Sequence, residues 1–411
     1  MRIVPGRHTR DEIHGKSAAG RSLVRFLQLF FNSLGRDPRP TRVYSLLRSL
    51  GDVTVCSAPP VEGFAAPEHF YRLQGHGHSL AHRVSRAINL LCRRYEADLW
   101  PPSLRDLFER LKGQDFSAII CQEGLLVPLA LALRDARRNR SLPCPVILDA
   151  REYYPRQFEQ NLAWRTVLGG LNEYVCRTYF RRLDRIFTVS PGLARGYSEE
   201  YGLDCKLLFS CPYYHEISPA ISDSSVLRCI HHGTASPGRK LELMIEAFKL
   251  LEGKAELDIM VVPNNKRYYR KLRQQAEGTR NIHFRLPVPM SDIVKELTPY
   301  DMGIFFLPDN TFNHRHCLPN KFFEYIQARL AIAISPLPDM AALVKEYDLG
   351  VISADFTPRA FAHCIAGLSK DEILRFKKNA NAAAHALCWE QNDTLLRKTL
   401  MELMEKNHEE Y

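Results

Sequence analysis

The sequence predicts an α/β protein of two doubly wound domains that face one another across a central cleft. Three observations carry that expectation. A chain of 411 residues exceeds the length at which one hydrophobic core keeps growing, so two units of roughly 200 residues are the default. Short apolar runs of strand length alternate with longer segments of helical period, the rhythm of a parallel sheet covered by helices. The alternation runs through the chain twice, with the polar stretch Ser218–Ser225 between the two series.

The first series begins at Phe26–Phe31 (FLQLFF) and continues at Asp52–Cys56, Ser117–Cys121, Val146–Asp149, Arg185–Val189 and Leu207–Phe209, closing near Cys211–Tyr214. The second contains Leu227–His231, Leu257–Val262, Ile282–Phe284, Met302–Phe306, Ile332–Ser335 and Val351–Ser353. These runs place a basic arm without clear period at residues 1–24, a first domain at 25–215, a second at 216–380 and a C-terminal helix at 381–411. Leu387, Leu395, Leu396, Leu400 and Leu403, set among charges, give the last segment its helical stripe. In sheets of this kind ligands gather beyond the carboxyl ends of the strands, so the chemistry is expected in the cleft.

The composition, 45% hydrophobic and 25% charged, is that of an ordinary globular protein. No run approaches the roughly 20 apolar residues of a spanning helix, and the first residues lack the apolar core of a secretory leader. A cytoplasmic protein is expected, free or peripheral at the inner face of the cell membrane. The 11 cysteines show no C-x-x-C or Cys/His spacing, so neither a disulfide framework nor a zinc site is indicated. All of the net +10 charge falls in residues 1–215, with 31 Lys+Arg against 21 Asp+Glu; residues 216–411 hold 25 of each. Nearly all of that surplus is arginine, whose planar fork suits phosphate and carboxylate, so an anionic acceptor or membrane surface and a merely solvated basic face both stand as readings. The aromatic and arginine-rich segment Phe158–Arg182 is the candidate for membrane contact, or else core plus a wet face. No recognised nucleic-acid motif accompanies the basic pI, and no nucleic-acid partner is expected.

The most informative segment is Leu318–Ala328, LPNKFFEYIQA. Pro319 fits the first turn of a helix whose N-terminal N–H groups attract an anion. Asn320 and Lys321 share that turn, and Glu324, one turn on, suits two vicinal hydroxyls. Phosphate plus ribose is the natural ligand. Upstream, Ile230–Phe248 (IHHGTASPGRKLELMIEAF) reads as a strand, a glycine turn at Gly233, a basic Arg239 and a helix. In the first domain, Gly35–Arg42 (GRDPRPTR) offers Arg36 and Arg39 after the first strand, Glu123 follows the third, and Asp149–Pro155 (DAREYYP) brings Arg151 and Glu152 after the fourth.

These segments resemble the family 4 retaining glycosyltransferases (glycosyltransferase group 1, bacterial cell-surface polysaccharide type), from about residue 25 to 370. LPNKFFEY matches their P-x-K-x-x-E-Y signature, and Gly233 to Phe248 their glycine–basic–helix element. The resemblance implies a GT-B fold of two Rossmann-like domains, with the first as acceptor side and the second as donor side. By it Lys321 touches the donor pyrophosphate, Glu324 the ribose, Gly233 admits the donor close to the backbone, and Arg239 neutralises its phosphates. Arg36, Arg39, Glu123 and Arg151 fall on the acceptor side, and Glu152 either orients or deprotonates an acceptor hydroxyl or forms a cleft-edge salt bridge to Arg151 or Arg156. Two positions depart from the pattern: Thr234 replaces a common Arg, and His316 stands where relatives carry a Glu eight residues before the ribose-binding one. His316 either contacts the donor as a catalytic group or lines the loop with His314 and Arg315.

The expected activity is sugar transfer from a nucleotide-sugar donor to a glycan or lipid-linked acceptor, retaining and without a metal cofactor, since no convincing D-x-D motif is present. The nucleotide sugar is a substrate, and no cofactor is expected. The alternatives are a nucleotide-sugar 2-epimerase of the same fold and a catalytically degenerate GT-B protein that binds glycan or a partner.

Overall fold

The computed structural model describes residues 24–73, 80–138, 143–220 and 224–406. All of the basic arm except Val24 lies outside the described residues, as do residues 407–411.

Seven parallel strands form the first sheet: β1 (Arg25–Ser33), β2 (Asp52–Ala58), β3 (His69–Arg72), β4 (Ala118–Cys121), β5 (Val146–Ala150), β6 (Arg185–Thr188) and β7 (Cys205–Leu207), in the order β3-β2-β1-β4-β5-β6-β7. The second sheet has six: β8 (Leu227–Thr234), β9 (Ala255–Val262), β10 (Ile282–Arg285), β11 (Met302–Phe305), β12 (Ala331–Ile334) and β13 (Gly350–Ile352), in the order β10-β9-β8-β11-β12-β13. Both are doubly wound, with strand order reversing between β1 and β4 and between β8 and β11. A crevice opens at such a switch point beyond the carboxyl ends of the strands. The central strands are buried on both faces, which is why Phe26, Leu27, Leu29 and Phe30 read as an apolar run rather than an alternation.

Three details differ from the sequence expectations. β3 (HFYR) was not foreseen because it pairs on one side only, at the sheet edge, and carries no buried apolar run. β7 spans residues 205–207 rather than 207–209; Leu208 donates to Thr188 as the chain leaves the sheet. Gly233 is not a turn residue: β8 continues through it to Thr234, and the turn follows at Ser236–Lys240.

The C-terminal segment is divided. A helix at Lys370–Ala383, closed by a capping box between Ser369 and Glu372, packs on the second sheet. The helix Trp389–Lys406 returns to the first domain, where Trp389, Leu396 and Leu400 join the core formed by Phe30, Val43, Leu46 and Leu47. Arg397 Nη2 donates to Ser49 Oγ at 2.7 Å, fastening the same contact.

Candidate functional site

A cleft of about 860 Å³ lies between the carboxyl edges of the two sheets. Its second-domain wall begins at the helix Asn320–Gln327, with Pro319 extended at the N-cap position and Asn320 and Lys321 lining the cleft. Helix N-terminal amides and the helix dipole favour an anion there. Lys321 is 5% exposed. Its Nζ lies 3.4 Å from His231 Nε2 and 5.2 Å from the centre of the Phe305 ring. His231 Nδ1 is 2.9 Å from the Ile304 carbonyl, which only accepts, so Nδ1 carries the proton and Nε2 faces the lysine as an acceptor.

Gly233 explains how the lysine fits. Its φ is +126°, and a Cβ there would stand 2.8 Å from Lys321 Nζ. Gly233→Ala is expected to lower the unfolding free energy by about 1–3 kcal/mol through strain and displacement of the lysine. A urea titration reads it as a lower midpoint at unchanged slope; an unchanged midpoint rules the packing argument out.

Arg239, on the turn before the helix Leu241–Lys249, also lines the cleft. Neither Lys321 nor Arg239 has a carboxylate within ion-pair distance among the described residues. Burial, reinforced by Arg239, pushes the Lys321 ammonium well below the usual lysine range, and burial lowers Arg239. An anion between the two cations would reverse both shifts.

Glu324 is 8% exposed and lines the same wall. Burial pushes its carboxyl up to about 7, against the opposing pull of Arg42 and Lys321. His232 Nε2 lies 3.3 Å from Glu324 Oε2 but out of line for a hydrogen bond, and has no other partner among the described residues. Arg42, sealed under Trp389 at 5.3 Å, likewise has no partner for its Nε and Nη2 there. Burial and the neighbouring Arg39 bring the Arg42 guanidinium down to about 10.

On the first-domain wall, Gly35 and the exposed Arg36 line the cleft with Arg151 and Glu152. Arg151 bridges Asp37 and Glu123, donating to Glu123 Oε1 at 2.8 Å. That ties the loop after β1 to the ends of β4 and β5. Burial drives Glu123 up to about 7 despite Arg151. Glu152 is exposed to the cleft and accepts from Gln157 at 2.6 Å. It is the carboxylate on this wall with no ion pair among the described residues.

Arg39 corrects its expected place on the acceptor side. It is 1% exposed and does not line the cleft. Its Nε and Nη2 grip the two oxygens of Asp149 at 2.8 and 2.6 Å, and Nη1 donates to Ser210 at 3.1 Å. Gln122 donates to Asp149 and accepts from Gln28, which also donates to the Pro40 carbonyl. This buried chain joins the middle of β1 to the carboxyl ends of β4 and β5 beneath the cleft.

His316 is also not in the cleft wall. It turns to Asp339, with Nδ1 2.7 Å from Oδ2, while His314 lines the cleft with its Nδ1 buried and unpartnered among the described residues. Burial and Arg239 lower the His314 pKa. In the segment Phe158–Arg182, Trp164 and Phe180 are buried, whereas Phe158 and Leu162 are exposed.

Sequence reading missed His231, His232, Arg42 and Asp339. The doublet before Gly233 at the carboxyl end of a strand was the available signal for the histidines. Arg42 and Asp339 are placed only by the packing of distant segments. Among the described residues no group of three or more His, Cys, Asp or Glu is placed to hold a metal ion, and no helix is long and apolar enough to cross a membrane.

No protein-family model matches the chain, and no curated protein matches it. Solved structures share its fold. HepE from Anabaena, crystallised with UDP and glucose, superposes with a TM-score of 0.68 at 10% identity, over 92% of this chain and 99% of that one. Sucrose-phosphate synthase from Thermosynechococcus elongatus gives 0.68 at 11%, over 93% and 100%. WaaG, a glycosyltransferase involved in lipopolysaccharide biosynthesis, gives 0.60 at 11%, over 90% and 99%. At these identities the likeness is one of fold, and it agrees with the strand orders and the cleft described above: the chain has the GT-B architecture, two Rossmann-like domains facing a central cleft.

Proposed function

We propose that the chain is a glycosyltransferase that moves a sugar from a nucleotide-sugar donor to a glycan or lipid-linked acceptor. The observation that carries this reading is the pairing of Lys321 and Arg239, two cations without a carboxylate partner among the described residues, at a helix start in the cleft with Glu324 one turn away. In the proposed mechanism a nucleoside diphosphate leaves with growing negative charge. Lys321, Arg239 and the first-turn amides stabilise that charge in place, so the chemistry needs no metal clamp. Glu324 accepts from the two ribose hydroxyls. As the bond from the sugar carbon to the diphosphate breaks and that to the acceptor oxygen forms, Glu152 orients the acceptor hydroxyl, whose proton passes to the departing phosphate, and Arg36 faces an anionic acceptor group. Retention of configuration follows from the family resemblance.

The reading is supported by the GT-B fold and by the UDP and glucose in the HepE structure. A single incubation tests it: nucleotide sugar with and without a mixture of glycan acceptors. Release of nucleoside diphosphate that depends on acceptor supports transfer. A changed sugar nucleotide without acceptor indicates epimerisation, and binding without turnover indicates a non-catalytic protein.

The Glu324 carboxyl gives a pH signature. With its pKa at about 7, the protein holds a proton there below neutrality that must leave before the carboxylate accepts two ribose hydroxyls. Donor affinity is therefore expected to be flat above pH 7.5 and to fall by up to about tenfold per pH unit beneath 7. Calorimetry in buffers of different ionisation enthalpy reads the released proton. A pH-independent affinity contradicts the assignment.

Membrane contact belongs to the same proposal. The helix Leu80–Leu91 exposes Val84, Ile88 and Leu91 as one i, i+4, i+7 stripe, flanked by the exposed Arg93 and Arg94. Such a stripe beside arginines suits an anionic bilayer surface. The protein is expected to float with vesicles containing anionic lipid, and Ile88→Glu to stay behind. Equal flotation of both would refute it.

A further inference from the structure

The loop that carries His316 reaches across to the first domain through several of its residues. After β11 the chain forms a single turn of helix, Phe312–Arg315, capped by Thr311. Asn313 sits on the first-domain segment after β5: its Oδ1 accepts from Tyr153 N at 2.7 Å and its Nδ2 donates to Tyr153 O at 3.1 Å. Phe312 packs at a tilt against the Tyr153 ring at 4.7 Å, with the Arg156 guanidinium above it at 5.2 Å, and its N–H donates to Glu159.

At the other end of the turn, Asp339 is 5% exposed. It belongs to the first turn of the helix Pro338–Glu346 in the second domain. One oxygen meets His316 Nδ1 at 2.7 Å. The other accepts the backbone N–H of Gly192 at 3.1 Å, from the first turn of the first-domain helix Pro191–Tyr201. No side chain fits at Gly192, since a Cβ would overlap the His316 ring and the Asp339 carboxylate. Gly196, one turn on, is similarly filled by Phe312, whose ring would lie 2.8 Å from a Cβ there.

We propose that this turn is an interdomain latch, in which Asp339, His316 and Asn313 of the second domain seize Gly192 and Tyr153 of the first and set the donor helix against the acceptor loop. His316 is then a positioning residue. The arrangement favours this over a loop contact of no consequence because the polar groups are paired across the interface in both directions. The latch also has sequence continuity with both walls: Asn313 and Lys321 are eight residues apart on one segment, and Tyr153 directly follows Glu152. Opening the latch would separate the cations that hold the donor from the carboxylate proposed to hold the acceptor.

The effect on turnover rests on the transferase reading; the latch itself does not. Small-angle scattering of the full chain, wild type beside Gly192→Ala, His316→Ala and His316→Asn, tests it. Gly192→Ala inserts a wedge, His316→Ala removes one partner, and His316→Asn returns an amide nitrogen to the place of Nδ1. The first two are expected to show a larger radius of gyration at unchanged circular dichroism, and His316→Asn the wild-type radius. With UDP as probe, affinity stays within about twofold of wild type, while turnover in the first two falls about 100-fold, mostly in kcat. Wild-type scattering from both Gly192→Ala and His316→Ala overturns the latch. If the wild type binds none of UDP, GDP, CMP or ADP, the transferase reading is what fails, and the scattering comparison alone decides the latch.

Discussion

Lys321→Ala is expected to lower kcat/KM by about 100- to 1,000-fold, equivalent to about 2.7–4 kcal/mol of lost transition-state stabilisation. The lysine is sealed at the helix start, with Gly233 keeping the space for its Nζ and His231 Nε2 accepting from it. In the proposed mechanism such a fixed cation acts where charge grows on the departing diphosphate and needs no reorganisation to do so. The same surroundings predict an opposite effect on the fold. Burial and Arg239 push Lys321 well below the ordinary lysine range, so the protein without a ligand gains nothing from that charge. Lys321→Ala should melt at or above the wild-type temperature while losing activity. A variant that loses both together would point to a structural lysine and away from a donor site.

Arg39→Ala is expected to cost about 3–5 kcal/mol of stability, because it leaves the Asp149 carboxylate buried without its counter-charge. The fork is bidentate and both partners are buried. Chemical denaturation at pH 7 measures the loss, and a loss below about 1 kcal/mol would contradict the argument. The pH dependence supplies a second check. Burial alone would raise the Asp149 carboxyl, but Arg39 and Gln122 hold it below the ordinary aspartate value. A carboxylate depressed in the folded state stabilises above its unfolded pKa of about 3.9 and loses that stabilisation as pH falls through its folded value. The wild type should therefore lose stability on acidification below about pH 4, and Arg39→Ala should show less of that loss.

The doubly wound architecture was readable because buried parallel strands are continuous apolar runs, as in β4, β11 and β12. β3 escaped because an edge strand exposes half its residues. The second-domain wall of the cleft was readable because its parts are local. Pro319, Asn320, Lys321 and Glu324 lie within two turns of one helix, so their spacing alone brings them together. Gly233 and Arg239 line the same wall, although the strand runs one residue past the glycine.

The first-domain wall was less legible because its arginines are sorted by long-range partners. Arg36 and Arg39 stand three residues apart, yet one faces the cleft and the other closes on Asp149. Nothing local distinguishes them. His316 shows the same limit. Its place in the family pattern suggested a donor contact, but Asp339, far along the chain, draws the ring to the domain interface and leaves His314 in the cleft.

A thermal-shift screen of UDP-, GDP-, CMP- and ADP-sugars, with Lys321→Ala and Glu324→Ala beside the unaltered protein, tests the central claim most directly. One nucleotide sugar should raise the melting temperature of the wild type, and both folded variants should lose that response. If no nucleotide sugar shifts the wild type, or if both variants respond as it does, the cleft is not a nucleotide-sugar site.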